Sequence, residues 1–381
     1  MSPRTVVIVG AGLAGSRCAE TLRAEGFDGR LVVFGDEPHA PYERPALSKE
    51  FLAGARERLE LRPSSHWEER EIEMRLGHRV EQLDLDQRTV AGGPPAEALV
   101  IATGARARAL PEPAPPGVLT LRTAADAEAL SRELRRTSRL AIVGAGFVGA
   151  EVASTARSLG VKVTLIDLTP VPLARVLGEE VGGVLAERYR DHGVDLRMGV
   201  GLRCLRTGED GRLSGVELAD GSVVACETAL IAIGAEPASE LLGGHRAGID
   251  TDACGRTAHP GVFACGDVAC SWRPLLGARA RVEHWTSAAG QAATVAHAIL
   301  GRSRPYDDLP YFWSDQFGLR LQHVGHAHEW DSTEIEGDAD SFCVRFRDRH
   351  RQLVGALAAN RPREVGALRR ELLENAQAAA A

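Results

Sequence analysis

The sequence predicts an α/β fold: two Rossmann-like dinucleotide-binding domains built on parallel sheets, followed by a small α/β C-terminal domain. Three observations carry this. A Gly-x-Gly-x-x-Gly run (Gly10, Gly12, Gly15) follows the β-branched stretch Val6–Val9, and the same spacing returns at Gly144, Gly146 and Gly149. From Pro305 onward the texture changes, with Trp313, Phe317 and Leu319 alternating with polar residues. In each glycine run the first allows a tight turn, the second lets a pyrophosphate approach bare backbone, and the third lets the next helix pack closely. Two such runs imply two dinucleotide sites, or one site beside a copy that serves only packing.

Taken in order, Ala14, Cys18 and Leu22 form the apolar stripe of a first helix that stops at Gly26. A strand over Leu31–Phe34 leads to Asp36 and Glu37, where an acid should meet a ribose diol. The prolines of residues 38–45 forbid a regular strand, and Ser48 can start a short helix. Helix is expected over Ser65–Arg70 and strand over Val80–Leu85 and Leu99–Ile101. The last runs into the small-residue turn Ala102-Thr103-Gly104-Ala105, where backbone can approach a ligand. The proline-rich residues 111–117 read as a linker.

Asp126–Arg136 reads as a helix leading into the second fingerprint, which has its own strand (Leu140–Val143), stripe (Val148, Val152, Ala156, Leu159) and second strand (Val161–Ile166), closed by Asp167. A hairpin follows (Val216–Leu218 with Val223–Ala225). A strand over Leu230–Ile233 then runs into Gly234-Ala235, echoing Ala102–Ala105. The strand ending at Asp267 and a helix over Thr286–Leu300 return to the first domain. The expected division is 1–110 with 236–304, then 111–235, then 305–381, where antiparallel strands near Trp313, Cys343–Phe346 and Leu353–Ala358 precede a helix from Glu364.

Composition narrows the function. With 381 residues, 44% hydrophobic and 25% charged, the chain has the make-up of a multidomain globular protein. No apolar run approaches a membrane span, and the early first strand leaves no room for a signal peptide, so a cytoplasmic protein is expected. A formal charge of −7 argues against general nucleic-acid binding. Seven cysteines without regular spacing make no disulfide framework, and Cys18 and Cys343 read as small core residues. Lys49 and Lys162 are the only lysines, which draws attention to Lys49.

His323, His326 and His328 have metal-like spacing. Strand alternation, however, splits His323 from the other two, so solvated strand histidines are expected and no metal site. Arg345, Arg347, Arg349 and Arg351 alternate and predict a basic strand face, either a docking surface or a charged edge. A carboxylate at Asp167 suits free ribose hydroxyls and repels a 2′-phosphate, favouring NADH over NADPH.

In order along the chain, Val6–Gly15, Asp36, Pro41–Lys49, Ala102–Gly104, Gly144–Glu151, Gly266–Asp267 and Trp313-Ser314-Asp315-Gln316 resemble the flavoprotein ferredoxin reductases of oxygenase systems, which are glutathione-reductase-like in fold. The resemblance implies FAD in the first domain and NADH in the second, with electrons passed to a ferredoxin-type iron–sulfur protein by a monomer or homodimer. It implies that Gly10, Gly12, Ala14 and Gly15 cradle the FAD pyrophosphate, with Asp36, or alternatively Glu37, on the ribose. Arg44, Lys49 and the turn Ala102, Thr103 and Gly104 would line the flavin, Val80 would touch adenine, Asp267 the ribityl chain, and Trp285 the pyrimidine ring. Gly144, Gly146, Val148, Gly149, Asp167 and Gly234 would serve the nicotinamide dinucleotide. In the wider family a lysine and a glutamate pair beside flavin N5, which gives Lys49 and Glu151 that role; Trp313 would lie near the flavin edge or in the core. The loop that carries the redox cysteines of disulfide reductases holds none here, so thioredoxin-type chemistry is not expected, nor a redox role for Cys265 and Cys270. The alternatives are an NADH oxidase, a quinone or other small-molecule reductase, and a redox-sensing flavoprotein.

Overall fold

The computed structural model describes residues 3–111, 113–244, 246–325 and 330–380. Its first parallel sheet runs, edge to edge, Val262–Ala264, Ala98–Ile101, Thr5–Val9, Arg30–Phe34 and Ile72–Arg75. Strand Val262–Ala264 thus comes from beyond the second fingerprint and pairs with Ala98–Ile101. Every core strand here is apolar on both faces, as a covered parallel sheet requires. Val6, Ile8, Leu31, Val33 and Val100 face the helices Leu13–Ala24 and Trp285–Ile299, which lie side by side. Val7, Val9, Val32, Phe34, Leu99 and Ile101 face the opposite layer with Ile249 and Val268. Each of these side chains, fully removed from water, contributes about 1.5–3 kcal/mol before conformational entropy is set against it.

The second sheet has the order Val194–Met198, Lys162–Asp167, Arg139–Val143, Thr228–Ile231 and Val118–Leu119, all parallel. Ala141, Val143 and Ile166 pack against the antiparallel strands Leu202–Thr207, Leu213–Leu218 and Val223–Ala225. Leu140, Ile142, Val163 and Leu165 pack beneath helices Ala124–Leu134, Phe147–Ser158 and Ala174–Asp191, in a core that also takes in Leu47, Leu52, Phe312, Phe317 and Phe346. The paired strands Ala105–Ala107 and Ala235–Pro237 form the ribbon between the two sheets.

Residues from Tyr311 form a five-stranded antiparallel sheet whose outer face lies under helix Pro362–Ala380. Strands Tyr311–Gln316 and Leu319–Gly325 join through Phe317 and Gly318, both at positive φ (48° and 76°), the pattern of a type I′ hairpin. A phenylalanine there is strained, and the fold holds it. Its N–H donates to Ser154 Oγ (2.7 Å), its carbonyl accepts from Arg188 Nε (2.7 Å), and its ring packs on Tyr189. Phe317 therefore belongs to a turn, and not to the strand alternation expected for it.

Several expectations need correction. Only Leu83–Asp84 of the Val80–Leu85 segment is strand, paired with Thr89–Val90. The short helix near Ser48 is a 3₁₀ turn over Arg44–Ala46, started by Pro45, with Ser48 in the turns beyond it. The basic strand face is absent: the strand ends at Arg347, Arg345 pairs with Glu336 (3.2 Å), and Arg347 pairs with Glu334 (3.1 Å), so the neighbouring strand neutralises it. Arg349 and Arg351 sit in the following turn. His323 is buried, stacked on Phe312 with centroids 4.8 Å apart, so it is not a solvated histidine; His326 and His328 lie outside the described residues. Cys265 is fully buried and its thiol is pushed up to about 12 by burial, while Cys270 is half-buried.

Candidate functional site

The first fingerprint opens onto a cavity walled by residues from all three parts of the chain. Gly10 has φ +114°, and a Cβ there would lie 2.1 Å from the Ala102 carbonyl oxygen. The tight turn thus presses against the end of the neighbouring strand. Gly15 packs the helix onto that turn, since a Cβ would meet the Gly10 carbonyl oxygen at 1.9 Å. At Gly12 nothing comes within 4 Å of the Cβ position. Gly12 also starts helix Leu13–Ala24 without a side-chain cap, so open backbone at a positive helix end faces the cavity. That is the cradle a dinucleotide pyrophosphate requires. Ala14 lines it; Gly15 does not, and serves packing in place of the cradle role expected for it.

Asp36 and Glu37 both line the cavity but differ in commitment. Glu37 accepts from Tyr42 Oη (2.6 Å) and pairs with Arg44 (2.7 Å). Burial pushes the Glu37 carboxyl up, but the Arg44 guanidinium and the Tyr42 hydroxyl outweigh it and hold the group below its ordinary value. Asp36 is exposed and makes no hydrogen bond or ion pair among the described residues. Arg44 also donates to the Arg122 carbonyl (2.8 Å), and Arg122 in turn pairs with Asp267 at 2.6 Å. Arg44, Arg122 and Asp267 therefore stand together on the wall. No motif in the sequence signals Arg122. Val80 is partly buried and packs against the core that holds Phe34.

Ala102, Thr103 and Gly104 complete the turn facing Gly10, with Thr103 Oγ1 donating to the Ala238 carbonyl (2.7 Å). Trp285 is the first residue of its helix and lines the cavity beside Trp313, their rings 6.2 Å apart in an edge-on arrangement. Trp313 is thus at the cavity and not in the core.

The second fingerprint repeats the geometry. A Cβ on Gly144 (φ +111°) would lie 2.3 Å from the Ala232 carbonyl oxygen and one on Gly149 2.0 Å from the Gly144 carbonyl oxygen, whereas Gly146 and Gly234 are open. Ala232-Ile233-Gly234 thus stands to Gly144 as Ala102-Thr103-Gly104 stands to Gly10. The acids are offset, however. Val9 pairs with Phe34 and Val143 with Ile166, so Asp167 is equivalent to Gly35, and not to Asp36. Gly35 has no room for a side chain, because a Cβ would lie 2.7 Å from Ala11 Cβ. Asp167 uses its room to accept from Ala145 N (2.7 Å) and from Thr169 N and Oγ1 (2.9 Å each). Phe147, Val148 and Glu151, from the start of the second fingerprint helix, reach the first cavity.

There the two halves meet. Lys49 Nζ lies 2.9 Å from Glu151 Oε2, with the side chains 11% and 8% exposed, so a nearly buried pair crosses between the halves. Ser48 Oγ (2.5 Å) and Ser314 Oγ (2.8 Å) also donate to the Glu151 carboxylate. Period-two alternation along Tyr311–Gln316 turns Ser314 and Gln316 inward, a signal present in the Trp-Ser-Asp-Gln motif. No cysteine lies on the described cavity wall.

Comparison with known proteins agrees with this architecture. The pyridine nucleotide-disulphide oxidoreductase profile matches residues 4–292, and a reductase C-terminal profile matches residues 311–381. The chain belongs to the pyridine nucleotide-disulphide oxidoreductases. Within that family it groups with the ferredoxin reductases of oxygenase systems. It is 38% identical to the 5,5'-dehydrodivanillate O-demethylase ferredoxin reductase subunit of Sphingobium sp., covering 94% of this chain and 90% of that one. It is 40% identical to the chlorobenzene dioxygenase ferredoxin reductase component of Cupriavidus sp., covering 93% and 90%. Its fold superposes on putidaredoxin reductase, solved in a covalent complex with putidaredoxin, with a TM-score of 0.93 at 30% identity, covering 98% and 93%. No helix among the described residues is long and apolar enough to cross a membrane.

Proposed function

We infer that this reductase takes electrons from NAD(P)H and delivers them, through bound FAD, to a ferredoxin-type iron–sulfur protein that serves an oxygenase. The observation that carries this is the nearly buried Lys49–Glu151 pair at 2.9 Å, on a described cavity wall that has a glycine cradle and no cysteine. A disulfide-reducing relative would need a dithiol at that wall.

FAD supplies the two-electron to one-electron conversion that joins a nicotinamide donor to an iron–sulfur acceptor. The chain's own residues bind and orient it. The open backbone at Gly12 and Ala14 receives the pyrophosphate, and uncommitted Asp36 receives the adenosine ribose. Arg44, Arg122 and Asp267 would hold the ribityl and phosphate portion, and the backbone at Trp285, where its helix starts, would serve the pyrimidine ring. Phe147 and Val148 would shield the ring face, and Lys49 and Glu151 would orient the nicotinamide. The division of labour follows the sheets: residues 1–110 with 236–304 for FAD, 111–235 for the nicotinamide dinucleotide, and 305–381 for the partner side. Trp313, at the cavity rim, lies on the route to the acceptor.

We further propose NADH as the donor. Asp167 sets a carboxylate at the end of its strand, and the next residue, Leu168, is 68% exposed and offers no charge to a 2′-phosphate. Asp167→Ala should lower kcat/KM for NADH by about tenfold or more and narrow the gap to NADPH. Steady-state turnover with an artificial electron acceptor, run with each nucleotide, measures both. Bleaching by NADH alone in the parent protein supports the assignment; equal bleaching by NADPH opposes it.

A further inference from the structure

The Lys49–Glu151 pair is braced from a side that neither fingerprint supplies. Ser314 Oγ donates to Glu151 Oε1 at 2.8 Å and accepts from Gln316 Nε2 at 3.0 Å; Gln316 Oε1 in turn accepts from Tyr189 Oη. Ser314, Gln316 and Tyr189 are 1%, 2% and 0% exposed, and Glu151 is 6% exposed. All the donors point one way, toward the carboxylate. The amide in the middle bars proton relay, so the chain has fixed polarity.

Such a chain is costly to bury unless every member is paired, and apolar residues of the same size would fill the space without that cost. Its anchors are equally specific. Ser154, on the helix that carries Glu151, accepts the Phe317 N–H, and Arg188, adjacent to Tyr189, donates to the Phe317 carbonyl. The strand bearing Ser314 and Gln316 is thereby pinned to both helices.

We propose that Ser314, Gln316 and Tyr189 are positioning residues. They fix the Glu151 carboxylate, and through it the Lys49 ammonium, at the point where the nicotinamide meets the flavin. The C-terminal domain thus takes part in the reductive step as well as facing the partner. This rests on the assignment of Lys49 and Glu151 made above.

The test exploits the presence of only two lysines, Lys49 and Lys162. ¹⁵N-lysine labelling of the FAD-loaded protein gives two side-chain ammonium signals, and exposed Lys162 is the internal control. Ser314→Ala and Tyr189→Phe should broaden or shift the Lys49 signal and leave that of Lys162 in place. Ser314→Ala should slow NADH-driven flavin bleaching about tenfold, the loss of one charge-assisted hydrogen bond, with NADH affinity unchanged. Tyr189→Phe should slow it less, and Ser314→Thr should restore both readouts. Tyr189→Phe keeps the ring and removes only the hydroxyl, so it carries the test alone if Ser314→Ala does not fold. Parent-like Lys49 signals and bleaching rates in both variants, beside a slowed Glu151→Gln, would overturn the inference and leave the site assignment standing. Parent-like bleaching in Glu151→Gln would overturn both.

Discussion

Single residues decide between folding and binding in the glycine cradle. Gly15→Ala drives a methyl group into the Gly10 carbonyl at 1.9 Å and should destabilise the protein by about 1–3 kcal/mol or more. Gly12→Ala meets nothing within 4 Å, so it should fold normally yet purify nearly colourless, because the methyl fills the pyrophosphate's path. Flavin absorbance and thermal melting, measured on both, separate the two outcomes. At the nearly buried pair, Glu151→Gln leaves the Lys49 charge without its partner and should cost roughly 3 kcal/mol, read as a lowered denaturation midpoint. Unchanged melting would mean that the ammonium reaches water in the folded protein. The residue scale is also where the sequence was least legible. Arg122 has no motif at all, yet it stands on the cavity wall paired with Asp267. Spacing reports what the backbone can do; it does not report which side chains converge from distant segments.

Elements were legible where the period was strong. After their polar first residues, Thr5–Val9 and Arg139–Val143 are apolar, and the glycines that follow them mark the turns. Legibility failed where tertiary contacts override local pattern. Phe317 reads as a strand residue but is held at positive φ by Ser154 and Arg188, and the arginines after Cys343 read as a basic face but are paired by the neighbouring strand. The acid at the end of the second strand of each fingerprint reads as one feature, yet pairing register makes Asp167 the counterpart of Gly35 and not of Asp36.

At the other end of strand Arg139–Val143, Glu227 makes an electrostatic clamp. It accepts from the backbone N–H groups of Ser138 and Arg139, from Thr137 Oγ1 and from the Arg139 guanidinium. Burial pushes its carboxyl up, but these donors outweigh it and bring it down to about 2. A depressed carboxyl stabilises the fold above its ordinary value, and that contribution drains away as pH falls toward about 2. Glu227→Gln should therefore lower melting temperature near neutrality and flatten its decline over that acid range; parallel melting curves would deny the clamp.

On the scale of the whole molecule, the first sheet, the second sheet and the C-terminal sheet each send residues to one cavity. Gly12 and Lys49 come from the first, Phe147 and Glu151 from the second, and Phe312 and Trp313 from the third. The nearly buried pair spans the first two, and Ser314 ties in the third. A wall built this way would let the nicotinamide donor and the ferredoxin acceptor share one flavin. The most direct test is NADH-driven reduction of cytochrome c by the FAD-loaded protein, with and without an added two-iron ferredoxin. Reduction that depends on the ferredoxin is the predicted result. Equal NADH turnover with oxygen or a quinone, with no response to ferredoxin, would contradict it.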